Sequence, residues 1–438
     1  MDDSDSNHSF ETRGEEEWLE RLQKIKENDP HTTRLSAEND DDVAYLQNIM
    51  TDEEWERLGR DISNNTHLET VALYDGDMND QRISSLFRGL SRSSSIKNLE
   101  LYENGFTAAG VQSMVPFLQN ANNLTRLDLD DNNIQSSGFN ELFRALRNSP
   151  IKTLRVNRCN IKAIEIDREH IPRNLTTLHV DGNDINSDGC RQIAKLLHGE
   201  NATLQTLRLD DNDINDEGAE ILVNALKSNA SLTHIDFRRN GGISAQGMNS
   251  FLRLVNDISS IEATLRSNHT LQFFSIDTVR IDADFERIKS CIDDASRINF
   301  KFRNNPDRVG REKIIQTQLN SSKRCDLEDM QGVSSSLYSE VDPLHLPEVL
   351  ALVGRRHGQG ELYVALKSSI AGVISTVNRR ECLKHKRAHH EALIAEYLDM
   401  VAHHRTEVEK VEAEIAAIDE AAGPDVGSEY RSSKRRRA

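Results

Sequence analysis

LTRLDLDDNNIQSSG, from Leu124 to Gly138, returns as LQTLRLDDNDINDEG from Leu204 to Gly218. The two copies share apolar residues and one asparagine held in fixed register, which a bias of composition does not produce. Laid along the chain, the phrase becomes LxxLxLxxNxL, with first positions at Leu68, Ile96, Leu124, Ile151, Leu175, Leu204, Leu232 and Leu271. The second and third apolar positions follow at Leu99 and Leu101, Leu127 and Leu129, Leu154 and Val156, Leu178 and Val180, Leu207 and Leu209, and Ile235 and Phe237. The asparagine position is held by Asn104, Asn132, Asn183, Asn212 and Asn240, with Cys159 in the fourth copy. Eight copies, most of them 27 to 29 residues apart, mark a stacked repeat architecture.

Within one copy the period changes. The alternating apolar letters of LRLDDN make a short strand that buries one face. After DINDEG, Ile221, Leu222, Ala225 and Leu226 share one face of a helix. Asp216 is the candidate N-cap and Glu217 a first-turn anion suited to the helix dipole. Strand, turn and helix thus recur, and a helix-length crossover makes consecutive strands parallel. One such unit cannot bury its faces, so the units must stack. The period near 28, the phrase NxIxDxG and the trailing ALxxN resemble leucine-rich repeats of the ribonuclease-inhibitor type over about residues 41–285. That resemblance implies an α/β leucine-rich-repeat solenoid, a horseshoe with parallel strands on the concave side and helices on the convex side. It also implies a non-enzymatic scaffold that binds protein.

The asparagines are expected to satisfy buried carbonyls in the turn and to form a ladder between copies. Three copies depart from the pattern. The fourth, IKTLRVNRCNIKAIEIDREHIPRN, has only 24 residues and carries Pro172, so an extended or irregular connection should replace its convex helix. The first has Gly76 and the last Val279 at the asparagine position, as atypical terminal copies would.

The letters between the leucines face the concave side. Down the stack the first column reads Ala72, Glu100, Asp128, Arg155, His179, Arg208, Asp236 and Ser275. The second reads Tyr74, Tyr102, Asp130, Asn157, Asp181, Asp210, Arg238 and Asp277, and the third includes Asp131, Arg158, Asp211 and Arg239. Tyr74 and Tyr102 occupy one column in adjacent copies, an arrangement enriched at interfaces. Acidic and basic groups alternate along the same surface, which selects a protein partner by complementarity. The expected partner-binding set is therefore Tyr74, Tyr102, Asp128, Asp130, Arg155, Arg158, His179, Arg208, Asp210, Arg238 and Arg239. Like positions of neighbouring strands lie about 5 Å apart, which gives a charge ribbon and no closed oxygen cage for a metal. No catalytic constellation can be placed, and no metal or cofactor is expected. GRRHGQG, Gly354 to Gly360, lacks the phosphate-loop pattern and reads as a turn.

Composition agrees with an elongated interaction protein. Apolar residues make up 37% of the 438 and charged residues 29%, with a net charge of -18. That charge argues against general nucleic-acid binding. The start MDDSDSNHSFETRGEEEWLE is unlike a signal peptide and no run of about eighteen apolar residues exists. The expectation is a soluble protein of cytoplasm or nucleus, with no membrane partner and its five scattered cysteines reduced. The Asn-x-Ser/Thr triplets at Asn123, Asn174, Asn201, Asn229 and Asn268 each precede a repeat's first leucine and read as repeat structure.

Flanking regions complete the layout. Residues 1–40 read as a disordered acidic tail, 41–285 as the solenoid, 286–330 as a C-terminal cap, and 331–380 as a helical region. In the cap, FERIKSCIDDASRINFKFRNN is expected to give a last helix and a polar strand over the open edge. The repeats followed by RINFKFRNN and LPEVLALVGRR resemble uncharacterised leucine-rich-repeat proteins of the diatom type. Residues 381–420 read as a short coiled coil, with Ile394, Val401, Val408 and Ile415 at a and Tyr397, His404, Val411 and Ile418 at d. A parallel homodimer is favoured, with a trimer or docking back on the solenoid left open. His385 and His389 lie one turn apart but lack further metal ligands. Residues 421–438 read as a disordered basic tail in which Lys434 to Arg437 form a candidate nuclear-import address. The repeats are also similar to those of the Ran GTPase-activating protein. That likeness implies, as the alternative, regulation of a small GTPase through a concave arginine such as Arg155 or Arg208. The basic tail departs from that family, whose repeats precede an acidic segment.

Overall fold

The computed structural model describes residues 16–37, 50–198, 202–259, 261–276, 283–314, 316, 387, 406 and 408–413. They divide between two compact units, Met1–Ser335 and Ser336–Ala438.

The first unit is built on one parallel sheet whose strands follow sequence order. They are β1 (Arg34–Ala37), β2 (Thr70–Leu73), β3 (Asn98–Glu100), β4 (Arg126–Asp128), β5 (Thr153–Arg155), β6 (Thr177–His179), β7 (Thr206–Arg208), β8 (His234–Asp236) and β9 (Phe273–Ser275). Register follows the sequence phrase: Leu99 pairs with Leu127, Leu127 with Leu154, Leu154 with Leu178, and Leu178 with Leu207. All five leucines are fully buried, and each such side chain removed from water contributes about 1.5–3 kcal/mol. The sheet stays open, with β1 and β9 at its edges.

Behind it run the helices Asp52–Asn64, Asp80–Gly89, Ala108–Asn120, Gln135–Ala145, Ser187–Leu197, Asp216–Leu226 and Ala245–Val255. Most start on a side-chain cap. Thr51 makes a capping box with Glu54, and Asn79, Thr107, Asn186 and Ser244 each accept from first-turn N–H groups. The cap expected at Asp216 is instead Asn215, whose side chain accepts from Gly218 N. Asp216 turns outward along the stack, where its Oδ1 accepts from Ser244 N at 2.8 Å and Gly247 N at 3.1 Å in the next repeat. Asp80 does the same for Thr107 N and Gly110 N. At these two places a first-turn carboxylate binds one helix start to the next.

The asparagine ladder is present. Asn132 Nδ2 donates to Leu101 O at 2.7 Å and Leu129 O at 3.0 Å, while its Oδ1 accepts from Asn104 N at 3.0 Å. Asn183, Asn212 and Asn240 repeat the pattern, and Cys159 Sγ points at Leu129 O from the same slot. Burial pushes the Cys159 thiol up to about 12, so it stays a neutral thiol.

Two expectations at the ends are corrected. The segment 1–40 is not a disordered tail throughout: residues 16–26 are helical and β1 extends the sheet by one strand. Trp18, Ile25 and Leu35 are buried in the same core as Trp55 and Ile62, a core contribution that outweighs the acidic composition. At the other end RINFKF is no strand. It completes the helix Ala283–Lys301, which packs on β9 and is followed by Pro306–Lys313. The boundary drawn at 285/286 therefore cuts a helix. The fourth copy does lack a convex helix and carries only the short 3-10 turn Arg168–His170.

In the second unit residues 387, 406 and 408–413 are helical, with Val408 and Val411 exposed. The rest of the expected coiled coil, His385 and His389, GRRHGQG, residues 1–15 and Lys434 to Arg437 lie outside the described residues. Among the described residues no helix is long and apolar enough to cross a membrane.

Candidate functional site: the concave strand face

Register brings the first sequence column together as one row. Glu100 pairs with Asp128, Asp128 with Arg155, Arg155 with His179, His179 with Arg208, and Arg208 with Asp236. Ion pairs tie the row to its neighbours on either side of His179. Arg126 Nη2 lies 2.8 Å from Asp128 Oδ2, Arg155 Nε 2.9 Å from the same oxygen, and Arg155 Nη2 2.6 Å from Asp130 Oδ2. Further along, Arg208 Nε lies 2.9 Å from Asp181 Oδ2, and Arg238 Nη2 2.7 Å from Asp236 Oδ2.

The surface reading of the aspartates needs correction. Asp128, Asp130 and Asp210 are only 4%, 5% and 3% exposed. The second column lies where each strand ends, and its side chains turn along the stack. Asp130 Oδ1 accepts from Asn157 N at 2.7 Å, Asn157 Oδ1 from Asp181 N at 2.7 Å, and Asp181 Oδ1 from Asp210 N at 2.9 Å. These residues form a second ladder parallel to the asparagine one, so their first role is to join repeats. What a partner can reach is the guanidinium layer above them. Arg158, Arg238 and Arg239 are exposed, while Tyr74, Tyr102, Arg155, His179 and Arg208 are half-buried. Arg158 is itself paired with Asp131, and Arg239 with Asp210.

Burial dominates the titration of this floor. It raises Asp128 to about 6, helped by the neighbouring Asp130 charge and opposed by Arg155 and Arg126. It raises Asp181 to about 6 against the pull of Arg208. His179 is lowered to about 4 by burial and by the flanking Arg155 and Arg208 charges, so it is neutral at pH 7. Its Nδ1 is buried without a hydrogen-bond partner among the described residues.

Two aromatic corners frame the row. Tyr74 and Tyr102 stack with centroids 4.1 Å apart and planes 20° apart. Tyr74 donates to Glu100 Oε2 at 2.6 Å and accepts from Arg34 Nη2, and both burial and the Glu100 charge raise its phenol. At the far end His234 stacks on Phe273 at 4.3 Å, Phe273 meets Phe300 edge-on at 5.3 Å, and Arg303 lies over Phe300. Phe273 and Phe300 are each 44% exposed. The column reading missed this corner. Its signal lay two residues before each column-one position, where Arg126, Thr153, Thr177, Thr206, His234 and Phe273 share the same face by the period of two. Among the described residues no cluster of His, Cys, Asp or Glu has the arrangement to hold a metal.

The PRAME C-terminal domain family matches residues 64–289, which is more than half of the 438. The chain belongs to that family. The matched span holds strands β2 to β9 and every residue of the expected binding set, so the PRAME-type region and the leucine-rich-repeat solenoid are the same structure. No curated protein matches in sequence. Among solved structures, one of the Rad7 and Elc1 complex in yeast is 15% identical, with 50% of this chain and 66% of that chain covered and a TM-score of 0.30. The tropomodulin C-terminal domain of Caenorhabditis elegans is 10% identical over 67% of this chain and 98% of its own, with a TM-score of 0.18.

Proposed function

We propose that this PRAME-type solenoid is a non-enzymatic protein-interaction scaffold that holds its partner on the concave strand face. The observation that carries the reading is the stacked Tyr74–Tyr102 pair beside a row of locked arginines. Tyrosine supplies large contact area at low conformational cost, and ion-paired guanidiniums have already lost side-chain freedom, which lowers the cost of ordering them on binding. The alternative, action on a small GTPase, requires an arginine able to reach transition-state charge. Arg155 and Arg208 are each drawn to two carboxylates, which supports the scaffold over that alternative.

The test is quantitative affinity capture from native extract with the full chain and with Tyr102→Ala and Arg158→Ala. A fragment that starts at residue 41 is unsuitable because it deletes β1. The expected result is a retained protein whose recovery falls about tenfold in Tyr102→Ala, a loss of roughly 1.4 kcal/mol, and less in Arg158→Ala. Equal recovery by all three chains would refute the concave assignment, and a small GTPase whose hydrolysis the wild-type chain accelerates would replace the scaffold reading.

A further inference from the structure

The convex side carries a break that the concave reading does not use. Consecutive helices pack on one another from Asp52–Asn64 through Gln135–Ala145, and again from Ser187–Leu197 through Ala245–Val255. Between these two runs the chain crosses as an extended segment. Its backbone is pinned on both sides: Ala163 N donates to Ser136 Oγ at 2.8 Å, Glu165 N to Asn140 Oδ1 at 2.9 Å, and Ile166 N to Gln192 Oε1 at 3.2 Å. Lys195 Nζ donates to Ile166 O at 2.7 Å. Ile164 and Ile166 turn into the core. An extended strand is much thinner than the roughly 10 Å cylinder of a helix, so the segment closes the core without filling the layer.

The space left is a groove of two adjoining cavities, of about 940 and 740 Å³, that share Arg168, Glu169 and Lys195. The floor of the larger is apolar, with Ile171, Leu175, Leu196 and Leu204. Its rim carries Arg147, Arg168, Arg173 and Lys195 against the single carboxylate of Glu169. Lys195 is committed to a carbonyl, but Arg147, Arg168 and Arg173 pair with no carboxylate among the described residues. This contrasts with the concave face, where the exposed arginines have partners.

We propose that this groove is a second docking site, distinct from the concave face, for an acidic amphipathic helix of a protein partner. The place falls where one helix of the layer is missing. A helix satisfies its own backbone, whereas an extended peptide would need a sheet edge that the convex side does not offer. The apolar floor takes its apolar stripe, and the three unpaired guanidiniums take carboxylates at the end nearest Arg147 and Arg173. A phosphate chain fits less well, because the groove is only part cationic: Glu169 lines both cavities, Glu165 and Asp167 stand beside Arg144 in the smaller one, and the whole chain carries -18.

The probe is a displayed library of helix-forming twelve-residue peptides, selected on the full chain. Binding of the enriched peptides is then measured to wild type, to Arg147→Glu/Arg173→Glu, to Arg147→Lys/Arg173→Lys and to Tyr102→Ala, with thermal melting as a check on folding. The expected outcome is enrichment of peptides with apolar residues at i, i+3 and i+4 and clustered Asp or Glu. Their affinity should fall at least tenfold in the glutamate variant and largely persist in the lysine and Tyr102→Ala variants. Enrichment of basic peptides, equal binding to the glutamate variant, or no enrichment would overturn the proposal. So would protection of the groove by an oligouridylate, or self-association of the chain that the glutamate variant abolishes.

Discussion

β5 and β7 read the same three letters, Thr-Leu-Arg, at Thr153–Arg155 and Thr206–Arg208, yet the repeats they open part company directly afterwards. The β7 repeat returns through the eleven-residue helix Asp216–Leu226. The β5 repeat returns through an extended segment and one 3-10 turn. Strand register and the buried central leucine are nevertheless alike in the two, although Cys159 stands in the ladder slot that Asn212 fills. The strand half of a repeat is thus specified independently of its return path. The solenoid can omit a helix without losing its sheet, and that freedom opens the groove.

The largest effect should come from the central leucines, both fully buried. Leu207→Ala is expected to cost about 4 kcal/mol and Leu154→Ala about 3 kcal/mol, both within the range for leucine truncation in cores. The difference arises because an extended cover held by Ile161, Ile164 and Ile166 can settle into the cavity more readily than a packed helix. Urea denaturation of the two variants measures it. Equal costs would mean that the cover is as rigid as a helix, and would break the comparison.

A smaller effect should separate the ladder positions. Asn212 donates to Val180 O and Leu209 O and accepts from Ile185 N. Asn212→Ala leaves these buried groups without that partner and should cost about 3 kcal/mol. Cys159 offers only a weakly donating thiol, 3.2 Å from Leu129 O, so Cys159→Ala should cost about 1 kcal/mol, measured the same way. A Cys159→Ala cost as large as that of Asn212→Ala would show that sulfur is a full member of the ladder.

Most of the solenoid was legible because its signals are local and repeated. The leucine phrase set the register, and the loss of the fourth helix could be read from a short copy with Pro172. The site was legible only in part. The first column was found whole, because alternation fixes which side a strand residue faces. The burial of Asp128, Asp130 and Asp210 was not. An aspartate that accepts a neighbour's N–H and one that faces solvent share the same letter and period. The N-terminal strand escaped because RLSA carries one large apolar residue, Leu35, and no repeat phrase. Its core partners Trp18 and Trp55 are contributed by helices outside the pattern.

The smallest effect concerns the neighbour that both Thr-Leu-Arg strands share. His179 pairs in register with Arg155 on one side and Arg208 on the other, and it titrates at about 4 against about 6.5 in an unfolded chain. Between those values the unfolded chain binds more protons than the folded one, so this residue makes stability rise with pH. Asp128 and Asp181, at about 6 in the fold against about 3.9 unfolded, do the reverse. There the folded chain binds more protons, and stability falls as pH rises through that window. The opposed slopes partly cancel in the wild type. His179→Gln removes the rising slope and leaves the falling one. His269, also lowered to about 4 by burial and the nearby Lys313, is unchanged in both chains and drops out of the difference. Denaturation of both proteins across about pH 4.5 to 7 should therefore show wild type gaining on the variant by about 1 kcal/mol per pH unit, less than the full single-proton slope because His179 is partly solvated. The gain should stop near pH 6.5, where the imidazole is neutral in both states. Parallel curves would mean that burial and the two flanking arginines together do not hold His179 neutral in the fold.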